Sequence, residues 1–186
     1  MARLIFASNA SLDGWTETAD GELAWAPPDE DVFAATTEVM ASVGTYLYGR
    51  RMYETMAVWE TDPSLGAQSE RYAAFASAWS AADKVVHSTT LTSLPTARSR
   101  LVTELDLDAV RAMKETSARD LLIGGPTLAA QALDAGLVDE CLLWVWPIVL
   151  GGRKPALSPS SRLDLELVDE RRFDNGVLQL RYRPLT

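Results

Sequence analysis

The chain has 186 residues, of which 47% are hydrophobic and 23% charged, with a formal net charge of −9. These totals fit one folded domain over 1–186 and exclude a chain disordered throughout. The acidic balance argues against nucleic acid and against an anionic membrane surface, because both partners need a basic footprint.

In chain order, Arg3 to Ser8 is a short apolar run followed by an Asp13-Gly14 turn signal, and Trp15 to Pro28 reads as an exposed loop. Asp29 to Val43 reads as a helix with acids in its first turn, complementing the helix dipole. Thr45 to Tyr48 is strand-like and ends at Gly49, with a helix starting near Arg51. Gln68 to Ser80 is helical, with Tyr72, Phe75, Ala76 and Trp79 on one face. Lys84 to His87 is a brief strand, and Asp106 to Thr116 a helix. Leu121 to Ile123 is a strand, and Thr127 to Ala135 a helix stopped by Gly136.

Cys141 to Leu150 is a continuous apolar run that reads as a central buried strand, disturbed at Pro147. Leu165 to Phe173 and Val177 to Arg183 are strand-like and joined by Asp174-Asn175-Gly176, a hairpin signal. Strands alternating with helices, then a terminal hairpin, predict a mostly parallel sheet with antiparallel strands at its edge. The ligand crevice of such a sheet lies beyond the carboxyl ends of its parallel strands. That selects four turns: Asn9 to Trp15, Gly49 to Met52, His87 to Thr90 and Gly124 to Thr127.

Cys141 is the only cysteine. No intrachain disulfide can form, which suits a reducing compartment. The N-terminal apolar run is too short for a signal peptide, and Cys141 to Leu150 is about half the ~20 residues of a membrane span. A soluble, cytoplasmic protein is the expectation. One cysteine and one histidine, His87, offer no credible metal cluster.

Gly124-Gly125-Pro126-Thr127 is either a tight strand-to-helix turn or a phosphate cradle. Two glycines let backbone approach a ligand, and a helix start offers free N–H groups. Arg50-Arg51, in an acidic chain, suits a phosphate monoester; the alternative is a solvated pair with carboxylate partners. Ser88 and Thr89 carry hydroxyls that can accompany an arginine around a 2′-phosphate, although such clusters also simply make turns. Trp144 and Trp146 read as core or interface residues, Trp79 as packing, and Tyr53 and Trp59 as either packing or substrate lining.

Together these pieces resemble one superfamily. They are 7–15 (ASNASLDGW), 48–54 (YGRRMYE), 84–91 (KVVHSTTL), 122–128 (LIGGPTL), 135–140 (AGLVDE) and 147–152 (PIVLGG). The chain is similar to dihydrofolate reductase-like proteins, in the branch of the reductase domain of the bifunctional riboflavin-biosynthesis deaminase/reductase. The resemblance runs over nearly the whole chain. It implies a three-layer α/β/α fold with a mostly parallel mixed sheet and a C-terminal hairpin, a homodimer, and NADPH as hydride donor. The 2′-phosphate would lie near Arg50, Ser88 and Thr89, and the pyrophosphate at the helix starts of Arg51 and Gly125 to Thr127, with Gly49 and Leu128 also among the cofactor contacts. The nicotinamide would lie near Ala7, Ser8, Leu12 to Thr16, and Gly124, with Asp13 shaping its loop. Met52 stands where this branch commonly has a Thr, so a side-chain bond to the cofactor is lost while the backbone N–H remains. Arg153-Lys154 follows Gly151-Gly152 where the family often has another Gly, altering the pocket wall.

Hydride transfer needs a proton source. Trp25-Ala-Pro-Pro-Asp-Glu30 is similar to the segment of true dihydrofolate reductases in which an acid follows Trp and Pro, which nominates Glu30 beside a pocket closed by Trp25. The competing explanation is an acidic first helical turn. The function implied is reduction of a small heterocycle. That is either 5-amino-6-(5-phosphoribosylamino)uracil reductase-type chemistry, without the zinc deaminase motifs, or a pterin-type reduction. The alternative is a nucleotide-binding domain of the same fold without turnover.

Overall fold

The alternation of strands and helices is realised in the computed structural model, which describes residues 1–185. In chain order the elements are β1 (Leu4–Ser11), α1 (Glu30–Met40), β2 (Val43–Gly49), α2 (Arg50–Thr61), α3 (Pro63–Gly66), α4 (Glu70–Ala81), β3 (Asp83–His87), β4 (Ser99–Val102), α5 (Leu107–Thr116), β5 (Asp120–Gly124), α6 (Pro126–Asp134), β6 (Glu140–Trp146), β7 (Leu165–Arg172) and β8 (Leu178–Pro184). They form one sheet in the order β4-β3-β2-β5-β1-β6-β8-β7. The pairs from β4 through to β6 are all parallel, whereas β8 runs antiparallel to β6 and to β7. This is the dihydrofolate reductase-like arrangement.

Side chains alternate across the sheet, as a strand period of two requires. Leu4, Phe6, Leu47, Leu121 and Ile123 face α5 and α6, where Val110, Ala129, Ala132 and Leu133 are buried with them. Tyr46, Tyr48, Val86 and Leu122 face the opposite way, onto Tyr53 and Ala57 of α2 and Phe75 and Trp79 of α4. Ile5, Leu142 and Trp144 face Val32 and Ala35 of α1 on that same side. Helices therefore cover both faces of the parallel part. The parallel strands consequently read as nearly unbroken apolar runs.

Several boundaries differ from the sequence reading, each for a local reason. The run from Cys141 to Leu150 does not continue as strand: β6 stops at Trp146, immediately before Pro147, and Val149 is 71% exposed. Proline lacks the N–H that would extend the ladder. Asp29 is the cap of α1 and not its first turn, its carboxylate accepting from the N–H groups of Asp31 and Val32; Asp106 does the same for α5. The helix after β2 opens at Arg50, one residue earlier than expected, and β4 and α3 were not anticipated at all. The β7–β8 hairpin turns at Asn175-Gly176, where Gly176 has φ +88° and Asn175 Oδ1 accepts from Val177 N–H. The segment 15–28 is only partly the exposed loop expected, since Thr16 and Glu17 are buried.

Candidate active site

β1 lies between β5 and β6, although β2 follows it in sequence. Such a reversal opens a crevice at the carboxyl edge. Register places Ala7, Gly124 and Tyr48 side by side across β1, β5 and β2, with His87 of β3 beside Gly49. The four turns singled out in the sequence therefore emerge along one edge.

Two cavities open there. The first, of about 330 Å³, is lined from β1 by Ala7, Ser8 and Asn9, and from the α2 start by Gly49, Arg50, Arg51, Met52 and Thr55. Gly124 to Leu128, with Thr16, Leu23, Trp25 and Lys154, complete it. Of the residues nominated for the cofactor, Ala7, Ser8, Thr16, Gly49, Arg50, Arg51, Met52, Gly124, Gly125, Thr127 and Leu128 are thus brought together. Ser88 and Thr89 stand outside this lining. The Ser88 hydroxyl accepts from the N–H groups of Thr90 and Leu91, closing its own turn. Trp25, nominated for the substrate, lines the first cavity.

The glycines serve different needs. A Cβ at Gly124 would stand 2.7 Å from Cε1 of the buried Tyr48 ring and 3.2 Å from Met52 Cγ, so close packing requires glycine there. Gly125 has φ +95° and would meet only Met52 Cβ at 3.8 Å, so it is the backbone conformation that favours glycine. The tight-turn reading of the Gly-Gly pair is therefore realised at both residues, by close packing at Gly124 and by a positive φ at Gly125.

Gly125 caps α6 and Gly49 caps α2, neither with a side-chain hydrogen bond, whereas Asp29, Asp62, Ser69 and Asp106 cap the other four helices through their side chains. The two helices that open onto the cavity keep unclaimed N–H groups and the positive ends of their dipoles. Arg50, Arg51 and Lys154 add formal charge, and among the described residues no carboxylate lines this cavity.

Glu17 organises one wall, and no sequence signal marked it. Its side chain is 2% exposed and lies 2.7 Å from Arg51 Nη1, 3.2 Å from Arg153 Nε and 3.9 Å from Lys154 Nζ. Burial works to raise its pKa, but hydrogen bonds from Arg51 and Arg153 and the charge of Lys154 hold it below the usual carboxylate value. The Arg153-Lys154 departure thus has a structural partner. Gly152 passes so close to the Glu17 carbonyl and the Trp15 side chain that a side chain would collide. Asp13 stitches the same two loops, accepting from Ser11 Oγ and from the N–H groups of Leu150 and Gly151. The Ser11 bond leads in lowering its pKa to about 2. Trp25 Nε1 donates to the Thr16 carbonyl at 2.8 Å, which fixes that ring over the cavity.

The second cavity, of about 400 Å³, shares Ala7, Ser8, Asn9 and Met52 with the first, so Met52 stands at the junction of the two. Trp59 lines it, as do Trp144, Trp146, Phe33 and Asp29. Tyr53 does not; it is buried, its hydroxyl 2.8 Å from Thr96 Oγ1. Glu30 lines neither cavity. Its side chain is 66% exposed and 3.7 Å from Arg71, so the structure does not bring the nominated acid to the site. Asp29, one residue earlier, is the carboxylate on the cavity wall.

Fold and site together define a dihydrofolate reductase-like protein with two joined cavities at the carboxyl edge of its sheet. The profile of the RibD C-terminal domain family matches residues 2–179, and the chain belongs to that family, the reductase-type domain of riboflavin biosynthesis. It is 29% identical over 195 residues to the uncharacterized protein YyaP of Bacillus subtilis, covering 97% of this chain and 94% of that one. A candidate riboflavin biosynthesis protein from Shewanella sp. PV-4 superposes with a TM-score of 0.72 at 23% identity, over 100% of both chains. The Thermotoga maritima diaminohydroxyphosphoribosylaminopyrimidine deaminase/5-amino-6-(5-phosphoribosylamino)uracil reductase gives 0.66 at 15% identity, over 99% of this chain and 57% of that one. Among the described residues no helix is long and apolar enough to cross a membrane.

Proposed function

We propose that this protein is an NADPH-dependent reductase of a small ring substrate, with the cofactor in the first cavity and the substrate in the second. The observation that carries the reading is the division of charge between two joined cavities. Among the described residues the first is lined by Arg50, Arg51 and Lys154, with the buried Glu17 carboxylate behind them and not on the lining, and the second by Asp29 with no lysine, arginine or histidine. An anionic dinucleotide suits only the first.

The residues present fit such a cofactor. The uncapped starts of α2 and α6 offer N–H groups to a pyrophosphate, and the absent side chain at Gly125 leaves room for it to approach. Arg50 is the freer arginine: among the described residues its one ion pair is an exposed contact of 3.5 Å with Glu54, whereas Arg51 is held by Glu17 and the Gly21 carbonyl. Arg50 is therefore the residue assigned to a 2′-phosphate. NADPH supplies a hydride when bound. Ala7, Ser8, Asn9 and Met52, shared by both cavities, define where cofactor and substrate meet. Asp29 is placed to exchange a proton with the substrate: Oδ1 accepts from the N–H groups of Asp31 and Val32. Among the described residues both hydrogen bonds to this carboxylate fall on Oδ1 and none on Oδ2.

Calorimetric titration tests the cofactor assignment. NADPH is expected to bind in the micromolar range or tighter, and Arg50→Ala to weaken NADPH more than NADH. Failure of wild-type protein to bind either nucleotide below about 1 mM overturns the reading.

A further inference from the structure

The second cavity has walls of one kind. Phe33 on its wall packs with ring centroids 5.2 Å from Trp59, 4.7 Å from Tyr72 and 4.4 Å from Phe75. Trp144 and Trp146 face it from the sheet. A volume of about 400 Å³ suits one or two fused rings. Aromatic walls of this sort hold planar rings by stacking and edge contacts.

Charge then decides which rings. No lysine, arginine or histidine lines the cavity, and its one ionisable carboxyl is Asp29. The nearby Arg71 is already engaged, 3.0 Å from Asp31 and 3.7 Å from Glu30. The entrance to α1 thus carries three carboxylates, Asp29, Glu30 and Asp31, against one guanidinium. The remaining polar groups of the wall are neutral. Tyr46 Oη and Trp144 Nε1 have no hydrogen-bond partner among the described residues, and burial pushes the Tyr46 phenol pKa up. A phosphate entering here would lose its hydration with no cation to replace it, and would meet like charge at Asp29.

We infer that the second cavity binds a planar, uncharged ring bearing no phosphate, so that the phosphoribosylamino substrate named for the Thermotoga relative is not this chain's substrate. The inference rests on assigning substrate to that cavity, and it deepens the assignment by fixing the ligand's charge class.

A matched pair of fluorescent probes tests it: 2-naphthol and 2-naphthyl phosphate share a ring and differ by the phosphate. Each is titrated into the full-length protein, free and saturated with NADP+, with quenching of tryptophan emission as the readout. The expected result is binding of 2-naphthol at least about 100-fold tighter than 2-naphthyl phosphate in both forms. Trp59→Ala should weaken 2-naphthol, and Thr36→Lys, which adds a cation to the same wall, should narrow the gap between the probes. Equal or tighter binding of the phosphate by wild-type protein overturns the inference, as does a 2-naphthol affinity indifferent to Trp59→Ala. The NADP+ titration separates the two claims. If NADP+ fails to bind, the reductase reading falls while the free-protein comparison still tests the cavity. If NADP+ binds and the phosphate probe prevails, the reductase reading stands and this inference falls.

Discussion

Replacing Glu17 with Gln tests whether the buried carboxylate organises the wall of the first cavity. The change keeps the side chain's shape and removes its charge. Breaking a fully buried ion pair costs about 3–5 kcal/mol, whereas an exposed pair is worth about 0.2–1 kcal/mol. Glu17 belongs to the first class at 2% side-chain exposure, but its partners Arg51 and Arg153 are 41% and 59% exposed. Solvent can therefore take over much of their solvation, and the expected loss is about 1–2 kcal/mol. For a chain of this length that is a fall in Tm of about 2–8 °C. The pH dependence has a definite sign. A carboxylate whose folded pKa lies below its unfolded value stabilises above that unfolded value, 4.5 for Glu, and loses the contribution as pH falls through the folded pKa. Melts followed by circular dichroism should show wild type above Glu17→Gln from pH 7 to pH 5 and the two converging below that. Equal Tm values at pH 7, or a gap that persists unchanged at low pH, would refute the reasoning.

Other positions give further tests. Gly124→Ala places a Cβ 2.7 Å from the Tyr48 ring, which is buried and stacked on Tyr46; the expected cost is about 1–3 kcal/mol in denaturant melts, with weakened NADPH binding. Asp29→Asn retains a good helix cap and loses the acid, so turnover should fall at least tenfold with Tm little changed. Glu30→Gln removes an exposed carboxylate and should leave turnover within about twofold, measured at saturating NADPH; a larger loss would return the proton to Glu30. Cys141 is buried, and burial raises its thiol pKa to about 12, so native protein should resist a thiol-specific reagent at pH 7 until unfolded.

The strand–helix alternation was legible because the inner parallel strands are buried on both faces and show as apolar runs. The hairpin was legible because Asn175-Gly176 has one preferred backbone. The turns at Gly49 and Gly124 could be placed on one edge without coordinates, since the carboxyl ends of parallel strands point the same way. β4 was not legible: four residues, none fully buried, leave no pattern.

The sequence alone thus determined the fold class, the edge on which the site lies and most of the first cavity's lining, because those follow from local periodicity and turn chemistry. Only the tertiary structure decided the rest. Glu17 meets Arg51, Arg153 and Lys154 across separations of 34 to about 137 residues, a pairing that no local signal encodes. The choice between Asp29 and Glu30 turned on side-chain direction at a helix start, where adjacent residues point about 100° apart. The separation of charge between the two cavities likewise exists only once distant segments share a wall.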